Sequence, residues 1–167
     1  MISYRISDVG FRIDEKSIRQ GLAETRWSGR LELIEIHRRI LLDGAHNPEA
    51  TGTLRRALET GYSRKRLLIV LGIMADKAIP SMMADLVPLA DFLYLTHAKN
   101  ERAASLDLLE AESSSYEKPY RKCAGVEEAL IQALRQAEKE DLILVTGSLY
   151  IVGETRAYLL RQGMISE

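Results

Sequence analysis

The sequence predicts an α/β domain: a Rossmann-like, open, mostly parallel sheet with helices on both faces and an edge hairpin on its N-terminal side. Three observations carry this. Short apolar runs at Ile40–Leu42, Leu67–Leu71, Phe92–Leu95 and Leu142–Val145 do not alternate with polar residues, as strands buried on both faces should not. Segments with helical apolar spacing and capping signals lie between them. Strand and helix then alternate from about residue 40 to the end, the pattern of right-handed βαβ crossovers.

In chain order, residues 1–26 read as a linker or entering segment, with a turn at Ser7–Gly10 and a short helix over Glu15–Ala23 that has no core of its own; the domain proper spans 27–167. Leu31–Ile36 alternates and reads as a half-exposed edge strand hairpinned to 39–43. Asn47-Pro48-Glu49 supplies an N-cap, a proline at the first helical position and an early acid. The predicted helix fills 48–60 and stops at Gly61. Asp76 is placed to cap a helix carrying Met82, Met83, Leu86 and Leu89, with Pro80 in its first turns or dividing it. Ser105 caps a helix to Ala111, and Glu112–Ser115 reads as the most flexible loop. Helices over Val126–Lys139 and Ser148–Leu160 complete the pattern.

Composition narrows the function classes. The 167 residues suit one domain, and 23 Lys+Arg against 24 Asp+Glu leave a formal net charge of −1, with no basic excess to recruit nucleic acid or an anionic membrane. No apolar run approaches the ~18 residues of a membrane span, and the start MISYRISD lacks the features of a signal peptide, so no membrane partner is expected. The single Cys123 cannot form an internal disulfide, and His37, His46 and His97 show no zinc-ligand spacing. A cytoplasmic protein is the expectation.

One motif misleads. Gly10 to Ser17 has the outer spacing of a phosphate-binding loop, but Asp14 and Glu15 stand where backbone N–H groups should approach an anion, and no apolar strand precedes it. The informative segment is Leu41–Pro48. A strand delivers Asp43 at its carboxyl end, Gly44 permits a tight turn, His46 projects from the loop, and Asn47-Pro48 opens a helix whose unpaired N–H groups favour an anion. The bland alternative is that Asp43 and Asn47 only cap and His46 is a solvated loop residue. Arg30 is equally ambiguous by itself. Lys99–Arg102 and Thr146–Tyr150 follow other strands and so converge on the same sheet edge, where open α/β sheets bind ligands.

Trp27-x-Gly29-Arg30-Leu31-Glu32, Leu42–Pro48, Gly72-x-x-x-Asp76-Lys77 and Gly147-Ser148-Leu149-Tyr150-x-Val152-Gly153-Glu154, in that order, resemble the C-terminal domain of the folylpolyglutamate synthase / dihydrofolate synthase family, within the Mur ligase superfamily. The match runs from Trp27 to about Glu154. The resemblance implies an ATP-dependent ligase in which a folate carboxylate is phosphorylated and the amine of L-glutamate attacks the acyl phosphate. It also implies that the phosphate loop, the Mg²⁺ ligands and most of the folate site belong to an N-terminal ATPase domain absent from this chain, which alone should be inactive.

By motif position, Arg30 and Asp43 correspond to ATP contacts, and His46 and Ser148 to positions near the reacting groups; His46 is the catalytic candidate, and Ser148, with Asn47 and Arg102 in loops at the same sheet edge, the substrate-binding candidates. Two departures are visible: Ser28 stands where the family usually has Pro, and Ala78 where an acid commonly follows Asp-Lys, which leaves Asp76-Lys77 as a simple helix cap. Two other functions remain open: another Mur-type ligase acting on a cell-wall precursor, and a free-standing non-catalytic module that binds a nucleotide or amino acid. Lys99–Arg102 lacks the D-N-P-R pattern of the former. Met74, Met82 and Met83 read as core fillers, Cys123 as a buried thiol, and Glu127, Glu128 and Lys139 as a solvated helix face.

Overall fold

The computed structural model describes residues 14–25 and 27–166. The Ser7–Gly10 turn and the glycine of the false phosphate loop lie outside the described residues. The loop's second half is a helix start: Asp14 caps α1 (Glu15–Glu24) by accepting from the Ser17 N–H at 2.6 Å. The described hydrogen bonds of α1 are all local, and its described side chains are exposed.

Among the described residues six strands form one sheet: β1 (Glu32–Glu35), β2 (Arg39–Asp43), β3 (Leu67–Leu71), β4 (Phe92–Leu95), β5 (Tyr120–Lys122) and β6 (Leu142–Thr146), in the spatial order β1-β2-β6-β3-β4-β5. Only the β1–β2 hairpin is antiparallel. Every residue of β3 and β6 is buried, as their unbroken apolar runs require. Successive side chains feed opposite cores. Ile40, Leu42, Val70, Tyr94, Ile143 and Val145 pack towards α5 (Val126–Gln136) and α6 (Leu149–Arg161). Leu41, Ile69, Leu71, Leu93 and Leu144 pack towards α2 (Pro48–Gly61), α3 (Ile79–Leu86) and α4 (Leu106–Ser113).

Capping chemistry sets the helix starts. Asn47, Ser105 and Ser148 accept from the N–H groups of Ala50, Leu108 and Ile151 respectively. The expected cap at Asp76 is not formed: α3 begins after Ala78, with no side-chain cap, because Pro80 in its first turn lacks an N–H and Asp76 is engaged by Arg102. Glu112–Ser115 is not a flexible loop. Its serines end α4 and enter a 3₁₀ turn (Ser114–Tyr116), and Ser113 is buried with its hydroxyl donating to the Glu110 carbonyl.

The exposed edge strand β5 gave no apolar signal at all, being Tyr120-Arg121-Lys122. Lys122 bonds Asp107 at 3.0 Å and Glu110 at 2.7 Å, which puts paired charge on an edge that would otherwise invite strand addition. Met74, Met82 and Met83 are buried core residues. Cys123 is buried too, and that burial pushes its thiol up to about 11. No described helix is long and apolar enough to cross a membrane.

Candidate functional site

Parallel register brings the carboxyl ends of the central strands level. Asp43 lies beside Thr146, Thr146 beside Leu71, and Leu71 beside Leu95. The loops that follow these strands crowd together above the sheet. Gly147 shows how closely: it takes φ +105°, and a Cβ there would lie 2.6 Å from the Gly72 carbonyl oxygen.

The β2–α2 loop rises from this edge, and two cavities flank it. The larger, about 400 Å³, is lined by Arg30, Leu31, Asp43, Asn47, Glu49 and the first turns of α2. The smaller, about 140 Å³, is lined by His46, Met74, Lys77, Arg102, Ser148 and the exposed Leu149-Tyr150 pair at the start of α6.

In the larger cavity Asp43 is almost fully buried and organises its surroundings. One carboxylate oxygen accepts from the Leu31 N–H and the other from the Ala45 N–H, each at 2.9 Å, so a single side chain ties the entering segment to the β2–α2 loop. Arg30 is exposed, and among the described residues its guanidinium has no hydrogen-bond or ion-pair partner. Asn47 spends its side-chain oxygen on the α2 cap. A cavity that joins an unspent guanidinium to a helix N-terminus suits a phosphate-bearing ligand.

In the smaller cavity His46 Nδ1 lies 2.8 Å from the Gly44 carbonyl oxygen. A carbonyl only accepts, so Nδ1 carries the proton and Nε2 of the neutral ring is left as an acceptor. Ser148 is 2 % exposed, and its oxygen accepts from Ile151 N–H at 3.2 Å while its O–H remains available to donate.

Arg102 is held in place by Asp76, donating from Nη2 to Oδ2 at 2.7 Å, with Lys77 Nζ 3.5 Å from the same oxygen. The Arg102 guanidinium holds the Asp76 carboxyl below the usual carboxylate range. Backbone bonds from Ala75 N to Arg102 O and from Ala104 N to Ile73 O stitch the two loops together. Two cations thus share one anion and keep a net positive charge at the cavity rim. Sequence reasoning set Lys77 aside because Ala78 breaks the expected pattern, and it used Tyr150 as part of a family motif without assigning it to the site. The Lys99 backbone N–H donates to Glu154 at 2.7 Å, and Lys99 does not line this cavity. Among the described residues no group of three or more His, Cys, Asp or Glu could hold a metal ion.

The comparisons with known proteins then decide the family. Residues 29–149 match the model for Mur ligase, glutamate ligase domain. The chain belongs to this family. It is 34% identical over 145 residues to the probable bifunctional folylpolyglutamate synthase/dihydropteroate synthase of Halobacterium salinarum, covering 86% of this chain and 18% of that protein. Among solved structures, Escherichia coli FolC in complex with DHPP and ADP superposes with a TM-score of 0.83 at 26% identity, covering 95% of this chain and 37% of that one. A bifunctional folylpolyglutamate synthase/dihydrofolate synthase with Mn, AMPPNP and L-glutamate bound gives 0.79 at 28%, covering 90% and 36%. The chain thus spans little more than a third of the two solved folate ligases and under a fifth of the Halobacterium protein, and the part it matches in the solved enzymes is their C-terminal glutamate ligase domain. The sheet, its helices on both faces and its edge hairpin are those the apolar runs and capping signals predicted.

Proposed function

We propose that this Mur ligase domain works as the C-terminal third of an ATP-dependent, folate-polyglutamylating ligase, with an N-terminal ATPase portion as its partner, and that alone it is inactive. The single observation that carries this is the pair of cavities on either side of one loop, with chemistry suited to the two ends of a ligation. On the Arg30 side, the planar guanidinium suits phosphate oxygens of ATP, and Asp43 has lone pairs left for a ribose hydroxyl. On the His46 side, Arg102 and Lys77 suit the carboxylates of L-glutamate, and Ser148 can donate to one of them. Asn47 joins the two by fixing the start of α2.

His46, with its proton held on Nδ1 by the Gly44 carbonyl, offers Nε2 to orient the attacking amine or accept its proton. The reaction takes ATP, a folate carboxylate and glutamate to an amide, ADP and phosphate. Transfer of the phosphoryl group depends on a cradle and Mg²⁺, which we assign to the ATPase portion. Residues 1–26, including the solvent-exposed α1, serve as the segment entering from it and 27–167 as the ligase domain, within a cytoplasmic enzyme. The similarity to folylpolyglutamate synthases favours this over a cell-wall ligase or a non-catalytic module.

The test is incorporation of labelled glutamate into folate acceptors by the purified chain, with and without the ATPase portion. No product from the chain alone, and ATP-dependent product on reconstitution, is expected. Product from the chain alone that is lost on its own substitutions would refute the division of labour.

A further inference from the structure

Arg30 sits between two residues of left-handed backbone, Gly29 at φ +75° and Leu31 at φ +46°. A leucine adopts that conformation only where its surroundings dictate it, and here every peptide of the turn is tied. Arg30 N–H donates to Trp27 O at 3.0 Å, Gly29 O accepts from Gly44 N–H at 2.8 Å, and Leu31 N–H donates to Asp43. The remaining tie is Gly29 N–H, which donates to Glu32 Oε2 at 2.6 Å. That carboxylate in turn takes Arg156 Nε of α6, at 3.1 and 3.2 Å to its two oxygens, in a pair only about one-fifth exposed on each side.

We infer that Glu32 is a positioning residue that aims the Arg30 guanidinium into the Arg30–Asp43 cavity, and that Arg156 is the counter-charge that lets it do so. Glu32 and Arg156 do not line the Arg30–Asp43 cavity; they line a neighbouring one of about 560 Å³, and Arg30 and Leu31 border both. Glu32 therefore acts through Arg30 and not by touching what the first cavity holds. Its charge also has to be occupied, because an unpaired carboxylate two residues from Arg30 would draw that guanidinium back across the turn. Arg156, anchored on α6, removes that competition. The sequence hides the arrangement, since 124 residues separate the pair.

This inference rests on the proposal that Arg30 contacts ATP. It is tested in the complete ligase, with the ATPase portion on the same polypeptide or supplied separately, by a cycle of Arg30→Ala, Glu32→Ala and the double variant. Glu32→Ala should raise KM for ATP by roughly tenfold, against roughly ten- to a hundredfold for Arg30→Ala, and the double variant should be no worse than Arg30→Ala. Glu32→Gln keeps an acceptor for Gly29 and should lie between wild type and Glu32→Ala; it also serves if the alanine variant does not fold. If Glu32→Ala leaves KM for ATP unchanged while Arg30→Ala raises it, or adds its full effect in the Arg30→Ala background, the positioning role is wrong.

If Arg30→Ala itself leaves KM unchanged, the ATP assignment of Arg30 has failed. Amide hydrogen exchange in the 167-residue chain then decides the positioning role by itself. The Gly29 and Leu31 amides should exchange slowly in the wild type and faster in Glu32→Ala or Glu32→Gln. Unaltered rates would overturn it.

Discussion

The two ends of the sheet use the same residue types for different ends. At the amino end of the strands, arginines are consumed by the fold. Arg66 grips Asp141 through Nε and Nη2, at 2.5 Å for the shortest contact, and Asp141 is fully buried. Arg64 donates to the carbonyls of Leu58 and Tyr62, Arg38 to Ala137, and Arg39 to Ser63. At the carboxyl end, Arg30 is unspent among the described residues, Arg102 and Lys77 share a single carboxylate, and Gly29, Leu31 and Gly147 take left-handed backbone where the loops meet. Where a polar side chain is satisfied within the chain it holds the fold, and where it is left with capacity it is available to a ligand.

The largest effect expected from disturbing this contrast is at Gly147. Alanine there must carry φ +105° with its Cβ against the Gly72 carbonyl, so the chain should lose roughly 3 kcal/mol or more of stability in urea melts. A loss under 1 kcal/mol would mean that the strand-end loops are looser than the geometry requires. Next is Asp141→Ala, which removes the buried acceptor of Arg66 and of the Glu138 N–H and should cost about 2–3 kcal/mol.

Burial alone would raise the Asp141 carboxyl, but Arg66 and the Glu138 N–H outweigh it and hold it below the usual range. A depressed carboxyl stabilises the fold above its unfolded value, near pH 4, and that contribution fades as pH falls through the lower folded value. Asp141→Asn should therefore be less stable than wild type at pH 7, and the difference should shrink as pH falls below the ordinary carboxylate range. Parallel stability curves across that range would contradict the assignment.

Smaller effects separate Ser148 from His46. Ser148 caps α6 from a buried position, so Ser148→Ala should lower stability by about 1 kcal/mol as well as raising KM for glutamate in the complete ligase. His46 bonds only its own loop, so His46→Ala should leave stability within about 0.5 kcal/mol and impair glutamate use alone. Equal stability losses would return both to plain capping roles.

Much of this was legible in the sequence because its signals are local. Apolar runs gave β2, β3, β4 and β6, and cap residues fixed the starts of α2, α4 and α6 within a residue. β5 escaped because an exposed three-residue edge strand has no hydrophobic pattern, its bonds going to Leu93 and Leu95 through backbone alone. Asp76 was misassigned because its partner, Arg102, lies 26 residues away in another loop. The same holds for the candidate site. The Asp43–Asn47 loop stood out through residue types at short spacing. The use of Lys77, the Glu32–Arg156 pair and the tie from Asp43 to Leu31 depend on which loops the sheet order brings together.

The most direct measurement sets Arg30→Ala beside Arg66→Ala, reading stability of the chain and KM for ATP of the complete ligase in both. Arg66→Ala should cost about 1.5–3 kcal/mol of stability and leave KM for ATP unchanged, whereas Arg30→Ala should leave stability within about 0.5 kcal/mol and raise KM for ATP roughly tenfold or more. An Arg30→Ala chain destabilised like Arg66→Ala, or one that binds ATP as wild type does, would contradict the account.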